Sequence, residues 1–217
     1  MPHALKSLGA AFVAVLALGA VAASSASASA FTSTVQPTIT GNQISGTITG
    51  VSRPQNEFTT KAGTVKCSTV TFHGVTISAS ELTLTPTLSG CFLGGVVPVH
   101  VKMNGCDYLV TAGEAAGESI EATTHIDCSP GNLILIEATG STCKITTPDQ
   151  TLGGITFHNS GTAEAMDVQA TTDAAGITYE VHGSCPNSPT GTTLFHDGTY
   201  RGVGTLKSSD GDGLTVH

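Results

Sequence analysis

The sequence predicts an all-β protein, an antiparallel β-sandwich of the immunoglobulin-like or a related type, stapled by disulfides. Three observations predict it. Apolar and polar residues alternate at period two in segment after segment, with Gly, Pro, Asn and Ser clusters between the segments. The 217 residues include 34 Thr and 26 Gly but only 11% charged residues, so the Lys, Glu and Arg of a long-helix protein are missing while strand and turn formers abound. The six cysteines include no Cys-x-x-Cys pair, which favours disulfides over a zinc or redox motif. Hydrophobic residues make up 39% of the chain, which argues against disorder.

Residues 1–30 read as a secretory signal peptide. His3 and Lys6 precede an apolar run from Leu8 to Ala23, small residues follow, and Ala28-Ser29-Ala30 suits a signal peptidase, with Ala26-Ser27-Ala28 as a second site. The expected mature chain, 31–217, is a secreted, extracellular all-β domain, either one body or two small sandwich halves meeting near 113–117. No later segment is an uninterrupted apolar run of about 18 residues, so no membrane span is expected after cleavage. Lys6 leaves with the signal, and the seven remaining Lys and Arg stand singly against sixteen acidic residues. That distribution opposes nucleic-acid binding, which needs clustered bases.

The clearest strand is Glu81 to Ser89, where Leu82, Leu84 and Leu88 share one face and Thr83, Thr85 and Thr87 the other. Val97, Val99, Val101 and Met103 form the next apolar set, and Pro98 suggests an edge. Further strands are expected at Ile44–Val51, Val65–Phe72, Cys106–Ala112, Ser119–Asp127, Leu133–Ala138, Ile155–Asn159, Met166–Thr172, Ile177–His182 and Thr199–Leu206. Leu133 to Ile136 has no polar residue and reads as a central strand covered on both sides. The Ala/Gly stretch Ala112–Glu118 and the triplet His196-Asp197-Gly198 read as hairpin turns. Thr-Phe-His occurs at Thr71–His73 and at Thr156–His158, but the flanking spacings differ, which leaves duplication without support.

Cys67, Cys106 and Cys143 each open an extended segment, and Cys91, Cys128 and Cys185 each follow one. Antiparallel pairing then favours Cys67 with Cys91, Cys106 with Cys128 and Cys143 with Cys185, the main rival joining Cys128 to Cys143.

Sharp catalytic motifs are absent: there is no Gly-x-Ser-x-Gly elbow, His-Glu-x-x-His, phosphate loop or dinucleotide fingerprint, and no cofactor or catalytic residue is assigned. Asp210-Gly211-Asp212-Gly213 resembles part of a calcium loop but lacks the distal carboxylate. Alternation puts His100, His125, His158 and His182 on polar strand faces. If their strands were neighbours, these imidazoles with Glu121, Asp127 or Glu180 would form a borderline metal site. The absence of Trp leaves little for a carbohydrate-stacking platform.

Lys66-Cys67-Ser68, Leu82 to Cys91, Asn104 to Tyr108, Cys128 to Gly131, Cys143 to Thr146 and Gly176 to Tyr179, taken in order, resemble a group of secreted, disulfide-rich, all-β proteins of unknown function from actinobacteria. The resemblance spans about Thr64 to Tyr200. It implies export and a shared scaffold, and it transfers no site residues. The expected function is a non-catalytic secreted or cell-surface binding or structural module for an unknown extracellular ligand or protein. The alternatives are a secreted hydrolase with a site assembled across strands and a metal-binding protein using clustered histidines.

Overall fold

Alternation sets which side chains go inside. In Glu81–Leu93, Leu82, Leu84 and Pro86 are buried, whereas Thr85 and Thr87 are exposed. Each strand so patterned must lay its apolar face against others. The computed structural model describes residues 31–32, 38–43, 47–48, 51–52, 56–162, 165–188, 190–208 and 213–217. The expected signal segment, most of the expected Ile44–Val51 strand and Asp210–Asp212 lie outside the described residues.

The strands are Phe31–Thr32 (β1), Thr38–Gln43 (β2), Thr47–Ile48 (β3), Val51–Ser52 (β4), Glu57–Thr60 (β5), Gly63–Thr76 (β6), Glu81–Leu93 (β7), Val97–Lys102 (β8), Cys106–Ala116 (β9), Ser119–Cys128 (β10), Ile134–Ala138 (β11), Lys144–Thr147 (β12), Gln150–Thr162 (β13), Ala165–His182 (β14), Thr193–Ser208 (β15) and Thr215–Val216 (β16). No helix occurs among the described residues.

The expected sandwich is replaced by a closed antiparallel barrel of eight strands, in the order β6-β7-β9-β10-β13-β14-β15-β2 and back to β6. A sandwich and a barrel share the same period-two pattern. They differ in whether the first and last strands meet, and here Thr38–Asn42 pairs with Thr71–Val75 to close the ring. The barrel is also longer than one ring. Strands β6, β7, β14 and β15 continue past it with new neighbours, so that β5, β8, β11 and β12 complete the circuit at the other end through the β12–β14 and β5–β15 pairings.

Glycines permit these changes of partner. β7 pairs with β9 through Glu81–Leu84 and with β8 through Cys91–Leu93, and between them Gly90 holds φ +60°. β14 pairs with β13 up to Thr172 and with β12 from Glu180, and between them Gly176 holds φ +74° beside a register shift. A side chain is strained in that region of backbone space, and a local bulge re-aims the strand.

The core follows the two levels. Leu82, Val110, Phe157, Val168 and Leu206 fill the first, joined by Phe31, Leu214 and Val216. The paired β1 and β16 therefore plug that end: Phe31 meets the Phe157 ring edge-on at 5.5 Å, and the Asn159 side chain grips both backbone groups of Val216. Val65, Leu93, Ile145, Tyr179 and Val181 fill the second level. A smaller cluster of Cys106, Ile126 and Ile134 joins them.

Three bridges link Cys67 to Cys91, Cys106 to Cys128 and Cys143 to Cys185. The first two join residues directly opposite one another on paired strands.

Five local expectations are corrected or narrowed. Pro98 does not mark an edge, because β8 lies between β7 and β11. β11 is central in its sheet, with Ile134 and Ile136 buried on one face and Leu135 and Glu137 only half-buried on the other, and Leu133, just before the strand, is 37% exposed. The hairpin turn expected in Ala112–Glu118 is there but confined to Gly117–Glu118, with Ala112–Ala116 extending β9, and His196-Asp197-Gly198 lies inside β15, because in both cases cross-strand pairing outweighs glycine content. The two strands expected at Met166–Thr172 and Ile177–His182 are one strand bent at Gly176. Residues 113–117 are the end of β9 and its turn into β10, and strands from both sides of that turn share the sheet.

Candidate functional site in the barrel interior

The inward side chains do not fill the barrel. A cavity of about 160 Å³ remains where the two levels meet, lined from both: Val65 and Ile136 on one side, Leu84, Phe157 and Leu206 on the other. An engineered cavity of about 150 Å³ with comparable walls stays dry and takes a benzene-sized molecule. Among the described residues no Asp, Glu, Lys, Arg or His lines this cavity. Its polar groups are Asn56, Tyr108, Tyr200 and three threonines, Thr124, Thr147 and Thr172.

Asn56, just before β5, is the most constrained of these. It is only 3% exposed, its backbone carbonyl accepts from the Cys67 amide at 3.2 Å, and its Oδ1 accepts from the Tyr200 hydroxyl at 2.9 Å. Its Nδ2 has no hydrogen-bond partner among the described residues. Tyr108, inward on β9, is close enough to Tyr200 for their charges to interact, and burial, reinforced by that neighbour, pushes its phenol well above the ordinary range. The interior thus presents hydroxyl and amide groups that stay uncharged, on an apolar wall.

An aromatic cluster packs in the second level. Tyr179 is fully buried, stacks on Phe195 at 5.3 Å and meets Phe58 edge-on at 5.9 Å. Its hydroxyl accepts from the Lys61 amide at 2.7 Å and donates to Asp197 Oδ1 at 3.0 Å, while the Lys61 ammonium meets Asp197 Oδ2 at 2.8 Å. Burial, with Asp197 accepting the proton, pushes Tyr179 up to about 12. The Lys61 and Tyr179 bonds hold Asp197 below the usual carboxylate range.

These shifts predict an alkaline titration. A phenol raised in the folded state contributes stability fully present below the unfolded pKa of about 10 and lost as pH rises through the folded value. Tyr108 and Tyr179 are therefore expected to stay protonated past pH 10, and stability is expected to fall from there towards pH 12. Tyrosinate absorbance checks this: all three tyrosines of the chain ionising near pH 10 without unfolding would contradict it.

The four histidines singled out by sequence do not form one site. His100 lies opposite Glu137 across β8 and β11, and His158 opposite Ser119 and Gln169. His182 bonds Thr146 and Thr192 at 3.1 Å each and approaches Glu180 at 3.3 Å. Only His125 joins a three-ligand group among the described residues, with Asp127 and Asp149, their candidate ligand atoms lying within 4.8 Å of one another. His125 Nε2 is 3.3 Å from Asp149, and Nδ1 is 3.0 Å from the Thr151 hydroxyl. Glu121 is exposed on β10 and is not part of the group.

Sequence reasoning missed the interior site because its members come from every level of the barrel. Asn56 stands in a segment with no strand pattern, and Tyr108 and Tyr200 sit in different strands 92 positions apart. A polar or aromatic residue at an inward position of an otherwise apolar alternation is the signal that points to them, and it requires knowing which face is inward.

No helix of the described residues is long and apolar enough to cross a membrane. The barrel's cavity wall is mostly apolar, and its outside carries ion pairs. Lys102 and Lys144 reach Glu137 on its outside at 2.5 and 2.9 Å and hold that carboxyl down at about 2. Channel-forming outer-membrane barrels have the reverse polarity, with a polar lumen and an apolar outer band. No protein-family model matches this chain, and comparison with curated proteins and with solved structures finds no match.

Proposed function

We propose that the protein is an exported, non-catalytic binding protein whose barrel interior takes a small, predominantly apolar ligand. The observation that carries this reading is the 160 Å³ cavity inside a closed, disulfide-linked barrel, lined by apolar side chains with a few hydroxyl and amide groups. Small eight-stranded barrels have an interior suited to filling by side chains or to holding one small ligand. Binding is favoured over hydrolysis by what faces the cavity. Among the described residues it holds no histidine or carboxylate to act as a base for a hydroxyl nucleophile. Export is supported by the three disulfides, by the signal-like residues 1–30 and by the resemblance to secreted proteins.

Toluene tests the reading by thermal shift and calorimetric titration. The oxidised protein is expected to bind it saturably with a raised melting temperature. No heat and no shift up to the solubility limit of toluene would refute interior binding.

A further inference from the structure

We infer that the ligand is a neutral molecule carrying one hydrogen-bond acceptor, a ketone, aldehyde or ether of about benzene size, whose oxygen accepts from Asn56 Nδ2. This rests on the interior-binding reading and adds the chemistry of the ligand to it.

Asn56 is only 3% exposed, and an amide in such a place normally has all its strong donors satisfied. Tyr200 donates to Oδ1, and the nitrogen is the group left without a partner. A buried donor without a partner is costly, and an acceptor brought into the cavity beside it removes that cost. The rest of the cavity wall decides which acceptor. No cation lines the cavity among the described residues, so a carboxylate would enter without a counter-charge. No anion lines it either, which equally disfavours an ammonium ion. A hydrocarbon fits the apolar wall but leaves Nδ2 unpaired. A neutral carbonyl satisfies both requirements, with the Tyr108 phenol, protonated through the ordinary pH range, as a second donor on the same wall.

Three probes of equal heavy-atom count separate the possibilities: acetophenone, α-methylstyrene, in which a methylene replaces the carbonyl oxygen, and benzoate. Calorimetric titration of the oxidised protein and of Asn56→Leu gives the affinity ratio of ketone to hydrocarbon. That ratio is expected to fall about tenfold in Asn56→Leu, the size of one buried hydrogen bond. Benzoate is expected not to bind at pH 7. The same ratio in both proteins, or benzoate binding as tightly as acetophenone, would overturn the inference.

A measurement on the unaltered protein stands in should Asn56→Leu fail to fold. The Asn56 side-chain amide resonance is expected to move with acetophenone and not with α-methylstyrene. An amide resonance that ignores the ketone while the hydrocarbon binds would overturn the inference and leave interior binding intact. Failure of every probe to bind would instead refute interior binding itself.

Discussion

Reducing the three disulfides is expected to unfold the protein at room temperature. The bridges close loops spanning 24, 22 and 42 residues. In the chain-entropy account each such crosslink stabilises by about 3 to 4 kcal/mol, native strain aside. Together that is comparable to the roughly 5 to 15 kcal/mol by which a domain is stable. Their positions add to the effect. Cys67–Cys91 crosslinks β6 and β7 beside Gly90, where β7 changes partners, and Cys143–Cys185 ties the loop before β12 to the loop after β14. Far-UV circular dichroism with and without a phosphine reductant checks this. A melt unchanged by complete reduction would mean that the barrel stands on packing alone.

Filling the cavity from its wall is expected to abolish ligand binding without unfolding the protein. Ala170 lines the cavity from β14 and is only partly buried, opposite Phe157 on one side and Gly204 on the other. Ala170→Phe puts a benzene ring into a space of about benzene size, so toluene affinity should drop at least tenfold. The stability change should stay within about 1–3 kcal/mol, the usual penalty for overpacking, because the added ring enters space that was empty. Unchanged toluene affinity in a folded Ala170→Phe protein would place the bound toluene elsewhere.

The all-β class was legible because alternation reports local burial. Leu82, Leu84, Val99, Val110 and Ile126 are buried, as inward positions of their strands should be. The cysteine positions carried real information about pairing, because strand starts and strand ends lie opposite each other in an antiparallel sheet. Closure was not legible. It depends on Ile39 meeting Gly74 and on Ile145 meeting Val181, contacts between residues 35 and 36 positions apart that no local pattern encodes. Barrel and sandwich also place the same residues inside.

The candidate site was less legible than the fold. Imidazoles are chemically versatile, but period two puts the four histidines on outward faces, and outward faces of a barrel diverge. His196-Asp197-Gly198 looked like a turn, whereas Asp197 instead anchors the Tyr179 hydroxyl and Lys61 from within β15. Asn56 and Tyr200 are joined by a hydrogen bond between residues 144 positions apart. Such a contact exists only once the ring is closed.

The most direct test of interior binding is a set of intermolecular nuclear Overhauser effects between acetophenone and the methyl groups of the oxidised protein. The predicted contacts are to Leu84, Val110, Ile136 and Leu206, which belong to both levels of the barrel and share the cavity. Contacts confined to the exposed methyls of Val75, Ile77, Val96 and Leu194 would show surface adsorption and contradict an occupied interior.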